Sequence, residues 1–140
     1  NVQDIYKVVE FLEEEYEAPK IMIGHSLGGA ATLKAAGDID SCDAVATIAA
    51  PFQVDHLTDK LIGRSKSTDE DDIKNLNKPL LIMHSPVDRT VNVDNAAKIF
   101  MAAKHPKSYI SLDDADHLLW KEEDARYAGR IIAAWAEKYI

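Results

Sequence analysis

Four short apolar runs separated by helical segments constrain this chain more than any other feature. They are Lys20-Ile-Met-Ile-Gly24, Ala44-Val-Ala-Thr-Ile-Ala49, Leu80-Leu-Ile-Met-His84 and Ser108-Tyr-Ile-Ser-Leu112. Each is too short for a buried helix, so each reads as a strand, and the first, which does not alternate, reads as buried on both faces. Between them lie segments of helical period. Val2, Ile5, Tyr6, Val9, Leu12 and Tyr16 form an apolar stripe that ends before Pro19. Residues 27–36 are rich in Ala and Leu with Gly37 as the stop, and residues 95–104 and 122–139 read as two more helices. In the last, Tyr127, Ile131, Ile132 and Trp135 are expected to face the sheet. Helices alternating with apolar strands mean parallel pairing through right-handed crossovers, an α/β fold.

Residues 53–77 break the alternation. A short helix is expected at 54–62, then an exposed loop through the polar run from Arg64 to Asp72, then a further turn before Pro79. Such a charge run is ordinarily solvated surface, although its place between two strands also suits a small lid.

At 140 residues the whole chain, 1–140, fits one domain. A formal net charge of −8, with Lys60, Lys66, Lys74 and Lys78 scattered among acids as solvated surface, argues against a nucleic-acid partner. No apolar run approaches the roughly 20 residues of a membrane span, and no secretory signal is visible. A single cysteine, Cys42, excludes an intrachain disulfide and points to a reducing, cytoplasmic compartment. The chain opens on Asn rather than Met, as a piece or a processed product would.

The chemistry concentrates where the first strand meets the next helix, at Gly24-His25-Ser26-Leu27-Gly28-Gly29. G-x-S-x-G in that context holds its serine on a tight turn, with the glycines two before and two after removing side chains that would clash. Ser26 then projects beyond the sheet, and the Leu27 amide at the helix N-terminus points toward a developing oxyanion. A phosphate loop is excluded, since no Gly-Lys-Ser/Thr follows and the glycines lack dinucleotide spacing.

A serine nucleophile needs a base, and the base an orienting carboxylate; for a serine on a strand-to-helix turn of this architecture the expected chain order is serine, acid, histidine. Both should lie beyond the carboxyl ends of strands. His117, in the loop after the last strand, meets that condition. His25 precedes the nucleophile on the turn and is expected to point elsewhere. His84 closes a strand and braces its loop, while His56 and His105 read as exposed. For the acid, Asp88 follows the third strand through Ser85-Pro86. Asp94 reads as a helix N-cap, and Asp116 as a brace of the histidine loop. Phe52, Val87, Leu118 and Leu119 are the nearest apolar candidates for an acyl pocket, with core packing the equal alternative. The histidines lack zinc-ligand spacing, so no metal or organic cofactor is expected.

These residues resemble the α/β-hydrolase superfamily. Gly24-His-Ser-Leu-Gly28 is similar to its nucleophile elbow, His84-Ser-Pro-Val-Asp88-Arg-Thr-Val91 to its acid loop, and Ala115-Asp-His117 to its histidine loop. Ser85 and Asn92 stand where the family usually has Gly and Pro. A narrower resemblance, in Ile23-Gly-His-Ser-Leu-Gly-Gly-Ala30 and Ala44-Val-Ala-Thr-Ile-Ala-Ala-Pro-Phe52, is to bacterial hydrolases paired with an OsmC-like domain. The resemblance implies a partial fold, equivalent to the family's fifth to eighth strands. Its N-terminal strands, and the loop that supplies a second oxyanion N–H, have no counterpart. Loss of one such donor costs roughly 10²–10³ in rate.

The activity so implied is hydrolysis of a small-molecule ester or thioester by Ser26, His117 and Asp88. Transfer to an acceptor other than water stays open, as does a weakly active fragment serving as an assembly or binding module. The strand from Lys20 through Gly24 would be a free sheet edge, so a homodimer joined through it is expected.

Overall fold

The computed structural model describes residues 2–53 and 69–140. Helix α1 (Val2–Glu15) leads into β1 (Ile21–His25), α2 (Leu27–Ala35), a 3₁₀ turn (Ala36–Asp38) and β2 (Ala44–Ile48). Then follow α3 (Asp69–Asn75), β3 (Leu80–His84), α4 (Asp94–Ala102), β4 (Lys107–Ser111) and α5 (Glu122–Ala136). The four strands pair in parallel in the order β1-β2-β3-β4, with Ile21 opposite Ala44, Val45 opposite Leu80 and Leu80 opposite Lys107. The α/β class and parallel pairing expected from the alternation are what the chain adopts.

Strand periodicity divides the core into two layers. Val45, Leu80 and Ile82 pack with Val2 and Val9 of α1, Ala31 and Leu33 of α2, Ile73 of α3 and Ile99 of α4. Ala46, Leu81 and Met83 point the other way, against Leu112, Ala115 and the α5 residues Ala128 and Ile132. Every side chain of β3 is buried. Each large apolar side chain fully removed from water contributes roughly 1.5–3 kcal/mol, so β3 anchors both layers.

Several expectations need correction. β1 is not buried on both faces: it is an edge strand, and Ile23 is 55% exposed. Tyr127 does not face the sheet but is 49% exposed. The buried stripe of α5 runs Ala128, Ile132, Ala136, and Tyr127 lies one residue, about 100° of helix, off that stripe. Tyr16 is exposed beyond the end of α1. Residues 69–72 of the polar run are helix rather than loop, because Ile73 and Leu76 anchor α3 to the core. Asp72 of that run meets Lys34 at 3.0 Å in a largely buried ion pair. Lys78 is no free surface lysine: its Nζ donates to the carbonyls of Ile39 and Cys42 at 3.1 and 2.6 Å. Cys42 is buried, and burial pushes its thiol pKa up, as befits a packed rather than reactive cysteine. The expected helix at 54–62, His56 and most of the suggested lid lie outside the described residues.

Candidate active site

The carboxyl ends of β1, β3 and β4 open on one edge of the sheet, and the loops that leave them carry the three predicted side chains. Ser26 follows β1 directly. Its backbone sits at φ 53°, ψ −126°, the conformation of the first central residue of a type II′ turn, where glycine is usual. Such a conformation costs about 1–3 kcal/mol in a residue with a Cβ and persists only where the surroundings enforce it. Here the Ser26 N–H donates to the Ile48 carbonyl of β2 at 2.9 Å, and the Ser26 carbonyl accepts from Gly29 N–H at 2.9 Å. The serine is pinned between the sheet ladder and the first turn of α2. Leu27 begins that helix, so its N–H has no intrahelical acceptor and is available at the elbow.

Close packing of the elbow depends on Gly24 and Gly29. A Cβ on Gly24 would lie 2.6 Å from Gly28 O, Gly29 Cα and Thr32 Oγ1, and one on Gly29 would lie 2.7 Å from Ala50 Cβ. Gly28 differs from expectation: no described atom lies within 4 Å of its virtual Cβ. The glycine two after the serine therefore relieves no described clash, whereas the one three after it does. Gly24→Ala is expected to lower stability by roughly 3 kcal/mol. Gly28→Ala should be neutral or up to about 1 kcal/mol stabilising, by its helix propensity. Denaturant melts of both variants measure the contrast.

His117 Nε2 lies 2.9 Å from Ser26 Oγ, and His117 Nδ1 lies 2.8 Å from Asp88 Oδ2. Asp88 follows β3, and its carboxylate is fully buried. Its Oδ1 accepts from the amides of Thr90 and Val91 at 2.8 and 2.9 Å. Burial pushes this carboxyl up. The hydrogen bonds from His117, Val91 and Thr90 outweigh that and hold it below its ordinary value. An ionised Asp88 accepts from His117 Nδ1–H, which leaves Nε2 with a lone pair toward the serine hydroxyl. The arrangement can take a proton from Ser26 Oγ.

The neighbouring loops explain how these groups are held. His84 is buried and its Nε2 donates to the Val91 carbonyl at 2.8 Å, bracing the acid loop as its position predicted. Asp116 Oδ1 accepts from Leu118 N–H at 2.8 Å, and its Oδ2 from Trp120 N–H at 3.2 Å, bracing the histidine loop. His105 is exposed, as expected. Asp94 is not a cap; it lies in the first turn of α4, and Asn92 Oδ1 accepts its amide at 2.8 Å.

His25 does not point away. Its Nε2 lies 2.7 Å from the His117 carbonyl oxygen, and the two rings stand 5.3 Å apart, centroid to centroid. Sequence reasoning missed this contact because it ends on a backbone carbonyl of the histidine loop, which no side-chain motif marks. Of the apolar pocket candidates, Val87 and Leu118 are exposed beside Asp88 and His117. Leu119 packs toward the α5 layer and Phe52 toward the opposite layer. Among the described residues no cluster of His, Cys, Asp or Glu is arranged to hold a metal ion, and no helix is long and apolar enough to cross a membrane.

A parallel sheet with helices on both faces and a serine on a strand-to-helix elbow define the α/β-hydrolase architecture. The chain belongs to the α/β-hydrolase family, of which it carries four parallel strands. It is similar to the esterase domain of a Rhodothermus marinus protein, with 39% identity and a TM-score of 0.91. That match covers 99% of this chain and 69% of the other. The fold is shared with the α/β-hydrolase GrgF of a Penicillium species, at 12% identity and a TM-score of 0.80, covering 99% of this chain and 71% of that one. A monoacylglycerol lipase of Paleococcus ferrophilus matches at 14% identity and a TM-score of 0.75, over 99% of this chain and 74% of its own. The sequence matches no protein-family model and no curated protein.

Proposed function

We propose that this chain is a serine hydrolase that cleaves a carboxylic ester or thioester of a small molecule through an acyl-enzyme. The observation that carries the reading is the hydrogen-bonded series from Ser26 Oγ through His117 to buried Asp88, at 2.9 and 2.8 Å, on a strained elbow. Kinship with an esterase domain at 39% identity supports the same chemistry.

Ser26 Oγ attacks the carbonyl carbon as His117 Nε2 takes its proton, and the oxyanion that forms is met by the Leu27 N–H. The intermediate collapses with loss of the alkoxide or thiolate, which takes the proton from His117. Water then attacks the acyl-serine, gives its proton to His117, and the proton returns to Ser26 as the acid departs. Asp88 stays ionised throughout, fixing the tautomer and stabilising the imidazolium. Val87 and Leu118, exposed beside the acid and the base, are the apolar walls offered to the acyl group. A fluorophosphonate probe tests this directly: the folded protein should gain the mass of one phosphonyl group on Ser26. A folded chain that remains unlabelled would instead support the inactive assembly module. The resemblance of residues 23–30 and 44–52 extends the proposal to a relationship with hydrolases paired with an OsmC-like domain.

The reading extends to the outer edge of β1, which pairs with no further strand among the described residues. Met22 and Ile23, with Ile5, Val8, Val9 and Leu12 of α1, line an apolar groove of about 360 Å³ along it. An exposed parallel strand with such a groove favours pairing with another strand, here that of a second copy. Light scattering at micromolar concentration is expected to give the mass of a dimer, and Ile23→Lys to shift it toward 15.5 kDa.

A further inference from the structure

We infer that His25 is a positioning residue for the catalytic base, acting as a hydrogen-bonded strap from the nucleophile strand to the backbone of His117. The inference rests on the serine-hydrolase reading, and assigns a task to a residue which that mechanism does not use.

A carbonyl oxygen can only accept, so the 2.7 Å contact between His25 Nε2 and His117 O places a proton on His25 Nε2. His25 therefore serves as a donor, and the proton it holds is not the one transferred in the reaction. Its half-buried ring also stands 5.3 Å from the His117 ring, at 36° between planes.

The rest of the histidine loop is tied locally or to β3. Asp116 binds the amides of Leu118 and Trp120, Ala115 N–H donates to Leu112 O, and Leu119 N–H to Asp116 O. Leu112 N–H donates to His84 O, and Ser85 Oγ to Asp113 O. Among the described residues, two hydrogen bonds join this loop to the β1 elbow: His117 to Ser26, and His25 to His117. The first disappears in every turnover, because an acylated Ser26 has no hydroxyl proton to donate. At that stage His117 must still stand over the acyl carbonyl to activate water. The His25 strap is the elbow contact that survives acylation, and together with the His117–Asp88 hydrogen bond it holds the base in place for the second half-reaction. A misplacement of about 1 Å at such a stage can cost roughly 10²-fold in rate.

Two substitutions separate the donor from the ring. In His25→Gln the side-chain amide nitrogen lies as many bonds from the backbone as the imidazole Nε2, so the strap can re-form without the ring. In His25→Phe the ring packing stays and the donor is lost. With a p-nitrophenyl ester, His25→Phe is expected to lower kcat roughly 10–100-fold and to lower KM with it where deacylation limits turnover, so that kcat/KM falls much less than kcat. His25→Gln should recover most of that loss. Pre-steady-state bursts should show His25→Phe slowed more in deacylation than in acylation. The downfield proton resonance of His117 Nδ1–H supplies a readout that needs no turnover: it should exchange with solvent faster in His25→Phe than in the wild type or His25→Gln. If the phenylalanine variant keeps wild-type kinetics and exchange, or if glutamine is the worse replacement, the strap is overturned. A wild-type chain that hydrolyses nothing, yet shows the donor-dependent exchange, would remove the hydrolase reading and leave the strap standing.

Discussion

Ser26→Ala is expected to lower kcat on an activated ester by roughly 10⁴–10⁶-fold and to abolish fluorophosphonate labelling. On the logarithmic scale of rates this is about 5–8 kcal/mol of transition-state stabilisation. The substitution removes one oxygen and leaves the elbow otherwise intact, since the backbone bonds from Ser26 to Ile48 and Gly29 do not involve the side chain. Circular dichroism and the melting midpoint should therefore stay near wild type. Ser26→Gly makes an informative companion. At φ 53°, ψ −126° glycine relieves the strain that serine and alanine both carry, so this variant should be equally inactive but about 1 kcal/mol more stable than Ser26→Ala. Stability that rises while activity vanishes would mark the elbow as a place where conformational strain is kept for chemistry. Substantial hydrolysis by Ser26→Ala would move the nucleophile elsewhere.

The features legible in the sequence were those written in local pattern. β2 and β3 are near-continuous apolar runs because both their faces are covered, and they emerge as the buried centre of the sheet. Asp88 and His117 could be picked because each follows a strand, and strand ends converge on one edge whatever the loops do. What pattern could not supply was contact across the sheet. β1 has the composition of a central strand, yet lies at an edge because its second neighbour is not among the described strands. Tyr127 is as apolar as its neighbours, but the phase of α5 is set by Ala128 and Ile132, which meet the sheet. Asp69 to Asp72 look like a solvated run until Ile73 and Leu76 fix the turn that precedes them. His25 shows the limit most plainly. Its neighbour Ser26 announces the elbow, but nothing local records that the His117 carbonyl lies 2.7 Å away.

Asp88→Asn is expected to lower kcat by about 10⁴-fold while leaving Ser26 and His117 in place, by reversing the tautomer of the base. Oδ1 of Asp88 accepts two turn amides, those of Thr90 and Val91, and Oδ2 accepts His117 Nδ1–H. Asparagine can satisfy the first pair only by keeping its oxygen there, which turns its NH₂ toward His117. Two donors then face each other, so His117 shifts its proton to Nε2 and accepts at Nδ1. The protonated Nε2 can no longer take the proton of Ser26, and the loss falls on kcat rather than KM. The opposite amide orientation preserves the tautomer but sets NH₂ against the N–H groups of Thr90 and Val91, at about 1–3 kcal/mol. Stability should carry a pH signature of the same contacts. The folded-state pKa of Asp88 lies below its ordinary value, so its contribution is complete above the unfolded-state pKa of about 4 and fades as pH falls through the folded value. Urea melts at pH 7 should rank the wild type above Asp88→Asn, and melts near pH 3 should narrow that gap. A gap that stays constant down to pH 3 would mean that the Asp88 charge contributes nothing to the fold.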